Sequence, residues 1–173
     1  MNRTINFDLS KFATFLVNAK KNTYVLADSN KIIPQRLEFK ELIYAEKDLE
    51  YRDSYCGFFF APGQEVVRLK GFPIWVMSYS GGMLKEYHPN TINKNNVSKV
   101  KFAKDVFNFL KDALSRVDVI NPYRGPKRYA QKDWVYKSKV NGTILDFQGA
   151  EEIYFKNKLV FKQYYIGGLV INK

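Results

Sequence analysis

The feature that most constrains the fold is a stretch of the chain that occurs twice. Residues 63–84 return, in weaker form, at residues 149–170. Self-similarity at a fixed offset indicates a repeated structural unit, and two copies fit a duplication inside one domain better than a solenoid. Chance likeness of two hairpins is the alternative. At an offset of 86 residues, six of the 22 positions are identical: Gly63/Gly149, Glu65/Glu151, Lys70/Lys156, Tyr79/Tyr165, Gly81/Gly167 and Gly82/Gly168.

Each copy of the repeat comes after a segment with helical periodicity. Apolar residues recur at i, i+3, i+4 and i+7 in the first segment, which predicts a helix over residues 8–20. A longer apolar stripe predicts a second helix over residues 99–117, with Ser98 at its N-cap. The two helices therefore open two similar halves of the chain.

The remaining sequence favours β-hairpins. Asn141-Gly142 is a strong hairpin-turn signal, and residues 118–133 are interpreted as a loop. Each half is then a helix followed by a meander of about three strands. The predicted fold class is α+β, an antiparallel sheet of about six strands with two main helices. The alternating and apolar segments behind this prediction are residues 41–45, 49–60, 65–69, 73–80, 134–140, 143–147, 151–155 and 159–166.

The chain length predicts one domain. A chain of 173 residues has enough surface to bury for a single ordinary core. We therefore expect one domain over residues 1–173, with halves at 8–86 and 97–171. The polar loop 85–96 has almost nothing to bury and is the predicted boundary between the halves.

The charge of the chain permits an acidic partner without specifying one. The net charge is +11 and the sequence pI is about 9.6. Nucleic acid is one partner that such a charge allows. The lysines are scattered, however, and no run of five basic residues occurs. A basic, soluble protein with solvated lysines is the simpler interpretation.

Few residues are available for metal or redox chemistry. Cys56 is the only cysteine and His88 the only histidine, which excludes an internal disulfide, a cysteine-only zinc site and a multi-histidine metal centre. We expect no metal and no cofactor. No stretch approaches 18 apolar residues and no signal-peptide core opens the chain, so we expect a cytoplasmic protein without a membrane partner.

The two repeated glutamates are the central candidates for a site. If both halves share one sheet, Glu65 and Glu151 face a common cleft related by pseudo-symmetry. A carboxylate there would pair with a cation or have a raised pKa. The alternative is a pair of solvent-facing glutamates, each opposite a lysine across its hairpin, since glutamate is rarely buried unless paired.

Other candidates come from the aromatic residues and from a second carboxylate. Alternation along residues 49–60 places Tyr51, Asp53 and Tyr55 on one strand face. The excess of tyrosine favours a pocket lining over a simple core, although the sequence does not separate the two. The full set of candidate ligand-binding residues is Tyr51, Asp53, Tyr55, Glu65, Trp75, Tyr79, Glu151 and Tyr165.

One local basic cluster is a candidate anion site. Arg124, Lys127 and Arg128 lie in a loop with Tyr123, glycine and proline. Such a cluster can bind phosphate or carboxylate, and a rigid loop with solvated charges is the alternative. The paired glycines 81–82 and 167–168 lack the lysine and the following helix of a phosphate loop. We interpret them as strand ends or bulges.

Several motifs together resemble an uncharacterised bacterial domain family. They are Y-R-D-S-Y-C-G (51–57), G-Q-E-V-V (63–67), P-I-W-V-M-S-Y-S-G (73–81), Y-R-G-P (123–126) and Y-I-G-G (165–168), and residues 15–24 resemble the family's start. Its members occur alone or behind a repressor-type helix-turn-helix domain, which implies a sensing or partner-binding role. The duplicated layer also resembles, in architecture only, effector domains of bacterial multidrug regulators, which hold cationic drugs against buried carboxylates.

These observations predict a non-enzymatic module that binds a small organic molecule or a regulatory protein. Its site would lie between the two hairpins of the repeat. Two other functions stay open. One is an enzyme of unknown class that uses Asp53 or Glu65 as an acid or base. The other is a basic accessory protein that contacts nucleic acid through Arg124, Lys127 and Arg128.

Overall fold

The computed structural model describes residues 8–25, 33–89 and 96–171. Helices α1 (Leu9–Val25) and α2 (Asn96–Leu114) lie on one face of an antiparallel sheet, and a short 3-10 helix, Lys85–Tyr87, follows the fourth strand. No helix among the described residues has both the length and the apolar content to cross a bilayer. The strands are β1 (Lys40–Glu46), β2 (Leu49–Tyr55), β3 (Gly63–Leu69), β4 (Phe72–Met83), β5 (Arg128–Gln131), β6 (Trp134–Thr143), β7 (Asp146–Phe155) and β8 (Lys158–Leu169).

The order of the strands places the two copies of the repeat side by side. The sheet runs β1-β2-β3-β4-β8-β7-β6-β5, so each half is a four-stranded meander and the halves meet where β4 pairs with β8. Tyr79 lies directly opposite its repeat counterpart Tyr165 in that pairing. Each half also has an irregularity at the same repeat position, after Val67 and after Ile153. The sheet is therefore pseudo-symmetric about the β4–β8 pairing.

The α+β class and the two helices are confirmed, but the sheet has eight strands instead of about six. Strand β5 lies in a segment that we had interpreted as a loop. Pairing with β6 makes it a strand, and its mostly exposed residues show no apolar pattern. Of the predicted boundary loop, residues 90–95 lie outside the described part of the chain. The duplication and the limits of the halves stay predictions.

The predicted turn at Asn141-Gly142 is also wrong. Both residues lie inside β6, and the chain turns three residues later than predicted, at Ile144 and Leu145. The carbonyl of Ile144 accepts a hydrogen bond of 3.1 Å from the indole Nε1 of Trp75, and that of Leu145 accepts one of 2.9 Å from the amide of Leu169. Contacts from distant strands thus override the local turn signal. The end of the predicted segment 143–147 and all of 151–155 belong to the single strand β7, while residues 143–145 end β6 and form the turn.

Each helix covers its own part of the sheet. Apolar residues of α1, among them Phe12 and Leu16, pack against Tyr51, Val67 and Trp75 of the first meander. The α2 residues pack on the second meander in a separate cluster whose sheet members are Met83, Tyr136, Ile153, Val160 and Phe161. Burying a large apolar side chain contributes roughly 1.5–3 kcal/mol. These two clusters therefore hold both helices on one face. On the other face, which we call the open face, neither helix covers the strands where the two halves meet.

The repeated glycines, Gly63 at the start of β3 and Gly149 within β7, make room for the repeated tyrosines. A Cβ atom added to Gly63 would lie 2.4 Å from the ring of Tyr79, and one added to Gly149 would lie 2.4 Å from the ring of Tyr165. Each tyrosine therefore lies flat across the neighbouring strand, over a glycine. The same packing in both halves explains why glycine and tyrosine recur together in the repeat.

Candidate functional sites on the two faces of the sheet

Glu65 and Glu151 both point to the helix-covered face and are fully buried. The alternative that they face solvent is therefore wrong. They do not border an open pocket either, because the guanidinium of Arg124 connects them. Its Nε and Nη2 donate to Oε1 of Glu151 at 3.1 and 2.9 Å, and its Nη1 lies 3.4 Å from Oε1 of Glu65. The loop before β5 thus supplies a cation that links the two halves.

A second cation comes from α1. The ammonium of Lys20 donates a hydrogen bond to Oε2 of Glu65, and both side chains are 0% exposed. Burial lowers the pKa of Lys20, and the neighbouring Glu65 carboxylate opposes that shift. A lysine this deeply buried is stable as a cation only beside a carboxylate. The two repeated glutamates are therefore held by cations that belong to the chain itself.

A third carboxylate, Asp53, lies in the same cluster. The hydroxyl of Tyr79 donates a hydrogen bond of 2.7 Å to its Oδ1. Burial, and then the charge of Glu65, raise the pKa of Asp53 to about 7. Burial also raises the pKa of Tyr79 well above the ordinary value for tyrosine, so this residue stays a hydrogen-bond donor. Asp53 therefore exchanges its proton near neutral pH.

The second half repeats this arrangement with neutral partners. Strand pairing places Ser138 opposite Glu151 as Asp53 lies opposite Glu65. The hydroxyls of Ser138 and Tyr165 lie 3.0 Å apart. Glu151 also accepts hydrogen bonds from the hydroxyl of Tyr136, at 2.7 Å, and from Nε2 of Gln163, at 3.1 Å.

We call this set of buried polar groups the charge cluster: Lys20, Asp53, Glu65, Tyr79, Arg124, Tyr136, Glu151 and Gln163. Its two cations balance its two glutamates, so Asp53 is the charge that remains when it is ionised. All eight side chains belong to residues that are less than 9% exposed. Each accepts or donates within the cluster. The arrangement ties both halves and α1 together, and an acid or base role for Asp53 or Glu65 stays a prediction.

The other predicted ligand residues of the covered face belong to the core. Tyr51 and Trp75 are fully buried beside Lys20, whose ammonium lies 5.7 and 6.0 Å from their ring centroids. Tyr55 is half-buried at the end of β2, with the ammonium of Lys40 5.9 Å from its ring. Two members of the predicted set, Tyr79 and Tyr165, also border a concave surface.

The predicted basic cluster is divided in the structure. Arg124 is 5% exposed and bound to two carboxylates, while Lys127 and Arg128 are exposed to solvent. Arg124 is thus unavailable for an external anion without opening the charge cluster. Anion binding by Lys127 and Arg128 stays a prediction.

A groove lies on the open face of the sheet, over the strands where the two halves meet. Its volume is about 470 Å³. Side chains on this face alternate with the buried ones along each strand: Gln163 and Tyr165 are both 3% exposed, whereas Tyr164 is 59% exposed. The outward residues that line the groove are Ser78, Ser80, Gln148, Ala150, Tyr164 and Ile166.

The chemistry of this groove is amphipathic and cationic. Tyr164 and Ile166, each 59% exposed, supply apolar area. Serine hydroxyls and the amides of Asn141 and Gln148 supply hydrogen-bonding groups, and Lys139 supplies the one charged side chain of the lining. Such a surface suits a planar ligand with a negative group.

Sequence reasoning missed the groove because it assigned the aromatic residues to one face only. A usable signal is present in β8, where Tyr164-Tyr165-Ile166 is apolar at three successive positions. Because side chains alternate along a strand, such a run puts apolar groups on both faces. The paired glycines, Gly81-Gly82 and Gly167-Gly168, lie inside β4 and β8.

Within the described residues, no group of three or more histidine, cysteine or acidic side chains is placed to hold a metal.

Comparison with known protein families identifies the class of this domain. The model of the family described as Domain of unknown function (DUF5680) matches residues 53–170. The chain belongs to this family, which confirms the resemblance to an uncharacterised domain family. No curated protein matches the chain, and no solved structure matches it.

Proposed function

We propose that this chain is a non-enzymatic binding module whose ligand lies in the groove on the open face. The ligand class is a small organic molecule, or part of a regulatory macromolecule, with aromatic and negatively charged groups. The observation that carries the proposal is the groove itself, about 470 Å³ in volume and placed where the two halves meet. Ligand sites are commonly concave and mostly apolar, with a few polar groups that orient the ligand.

The contrast between the faces supports this location over the space between the hairpins. On the covered face, Glu65 and Glu151 are buried and held by Lys20 and Arg124. A ligand there would have to displace a cation of the chain and leave a buried charge unpaired, which costs about 3–5 kcal/mol. On the open face, Tyr164 is exposed and needs no displacement.

The wider setting is part of the proposal. We place the module in the bacterial cytoplasm, where the lone thiol of Cys56 stays reduced. Its proposed role is that of a sensor or accessory unit, as the resemblance to domains found behind repressor-type DNA-binding domains implies. The net charge of +11 favours an anionic ligand in this setting.

The groove can be tested with anilinonaphthalene sulfonate, an aromatic anion whose fluorescence rises in apolar surroundings. We expect it to bind the full chain and Ala150→Phe to weaken binding about tenfold or more, because the phenyl ring fills the groove. The matched control is Ala45→Phe, which places the same ring on an exposed position of the edge strand β1. This control should bind the dye as the wild type does.

Urea unfolding of both variants shows whether either change disturbs the fold. Equal dye binding by the wild type and a folded Ala150→Phe variant would contradict the proposal. So would a loss of binding that Ala45→Phe shares.

A further inference from the structure

Basic side chains of the second half gather on the open face beside the groove. Arg128 of β5 is the register partner of Lys137 of β6, and both are exposed. Lys139 lies two residues further along β6, hence on the same face and about 6.8 Å away along the strand. No ion pair within 4 Å joins any of these three side chains to an acidic group of the described ranges 8–25, 33–89 and 96–171.

Two tyrosines lie among these cations. The ammonium of Lys137 lies 4.6 Å from the ring centroid of Tyr154, and that of Lys162 lies 5.2 Å from the ring centroid of Tyr164. Tyr164 is also part of the groove lining and is 59% exposed. The surface therefore combines the exposed ring of Tyr164 and the half-buried ring of Tyr154 with positive charge.

The first half carries no such surface at the equivalent positions. Tyr164 corresponds to Ser78 at the repeat offset, and Lys162 corresponds to Val76. The basic residues of β2 and β3 on this face are paired: Arg52 lies 2.7 Å from Glu41, and Arg68 lies 3.4 Å from Glu50. The basic residues of these first-half strands are thus paired, whereas Arg128, Lys137 and Lys139 lie outside the ion pairs of the described residues. Glu152 lies beside them, as the register partner of Lys137, and pairs with Lys162 at 3.0 Å.

We propose that the groove and the basic residues beside it bind single-stranded nucleic acid. The inference rests on the proposed function and names its ligand class. Bases stack on Tyr164, and Arg128, Lys137 and Lys139 contact phosphates. Open antiparallel sheets with exposed aromatic and basic residues bind unpaired bases in this way, because every base has a face that stacks and every nucleotide carries a negative charge.

Charge complementarity favours this occupant over a second copy of the chain. Two open faces in contact would bring their unpaired cations together, and like charges directly opposite each other are destabilising. An acidic peptide satisfies the charge but gives the exposed tyrosine ring nothing to stack on. The dependence of binding on Tyr164 therefore separates nucleic acid from a peptide polyanion.

The experiment is fluorescence anisotropy of the full chain with labelled oligouridylate and oligothymidylate of about 12 nucleotides. We expect binding that weakens as salt rises from about 50 to 200 mM. Tyr164→Ala should weaken it about tenfold, and Tyr164→Phe, which keeps the ring, should bind like the wild type. Lys137→Ala/Lys139→Ala should lower the salt slope by about 1.4, since each lost contact in a single strand removes about 0.7.

The matched control for the lysines is Lys101→Ala/Lys104→Ala, which removes two exposed charges from α2 and should leave the slope unchanged. Three results would overturn the inference: no oligonucleotide binding, equal binding by Tyr164→Ala, or polyglutamate binding as tight as oligouridylate. If the dye still responds to Ala150→Phe in that case, the groove remains a ligand site for another class. If the dye also fails to bind there, the proposed function fails as well.

Discussion

The two faces of the sheet differ in whether their basic side chains are paired with carboxylates. On the covered face, Lys20 and Arg124 are buried and bound to glutamates. On the open face, Lys137 and Lys139 are exposed and lie outside the ion pairs formed by the described residues. The cations of the covered face are therefore not available to a ligand, while those of the open face are. The difference shows that the most conspicuous polar residues of the sequence, Glu65 and Glu151, are held inside the fold. In the proposed function, less conspicuous residues form the binding surface.

The largest expected effect comes from breaking the charge cluster at its centre. Arg124→Met leaves two buried carboxylates without their shared cation, and we expect a loss of about 3–5 kcal/mol in the free energy of unfolding. Urea denaturation measures it. The control Arg116→Met removes a cation that is 49% exposed and paired with Asp112, and should cost under about 1 kcal/mol. Similar costs for the two variants would show that the cluster does not hold the halves together.

The next effect concerns the proton on Asp53. Its pKa is raised to about 7 in the folded protein. Between the ordinary carboxyl pKa and 7, the folded state binds a proton that the unfolded chain has lost, so stability falls as pH rises, and changes no further above 7.

Asp53→Asn removes this dependence while the other groups of the cluster, Lys20, Glu65 and Arg124, stay in place. We expect the unfolding free energy of the wild type, relative to the variant, to fall by roughly 2–3 kcal/mol from about pH 5 to pH 8. Chemical denaturation of both proteins at several pH values measures this difference. A difference that is constant or rises with pH would refute the raised pKa.

A smaller effect tests the packing that the halves share. Gly149→Ala places a Cβ atom 2.4 Å from the ring of Tyr165, and we expect a cost of about 1–3 kcal/mol. Gly63→Ala should cost a similar amount because of Tyr79. In a Tyr165→Leu background the added methyl group should cost less, since the ring is gone. Thermal or urea unfolding of the four proteins measures this, and an equal cost in both backgrounds would rule out the ring contact as the cause.

The smallest effect is expected on the open face. Tyr164 is 59% exposed, so Tyr164→Ala should change the free energy of unfolding by no more than about 0.5 kcal/mol. The same variant is expected to weaken binding of an oligonucleotide, which separates function from stability on this face. A large loss of stability would mean that Tyr164 belongs to the fold as Tyr165 does.

The helices could be predicted from the sequence because their apolar stripes are local patterns, whereas elements that depend on contacts between distant segments could not. The two helices were predicted from apolar stripes, with ends within a few residues of Leu9–Val25 and Asn96–Leu114 at most termini. The edge strand β5 was missed because its four residues are polar and mostly exposed, and only pairing with β6 makes them a strand. The Asn-Gly signal was misleading because the turn lies three residues later, where Ile144 and Leu145 accept hydrogen bonds from Trp75 and Leu169.

The sequence predicted only part of the candidate site. The repeat correctly singled out Glu65 and Glu151 as residues that share one face, because an offset of 86 residues preserves strand alternation. It did not show that Lys20 from α1 and Arg124 from a loop would fill the space between them. These two cations come from distant segments and do not recur at the repeat offset, so the repeat could not reveal them. The open-face groove was missed because its residues differ between the two halves, so the repeat did not draw attention to them.

The most direct test of the central claim is a residue-resolved NMR titration of the full chain with anilinonaphthalene sulfonate. If the open face binds, the amide signals of Ser80, Gln148 and Tyr164 shift, and the side-chain Nε–H signal of Arg124 does not. Shifts of the Arg124 signal and of Tyr79, with Tyr164 unchanged, would contradict the account and return the site to the space between Glu65 and Glu151.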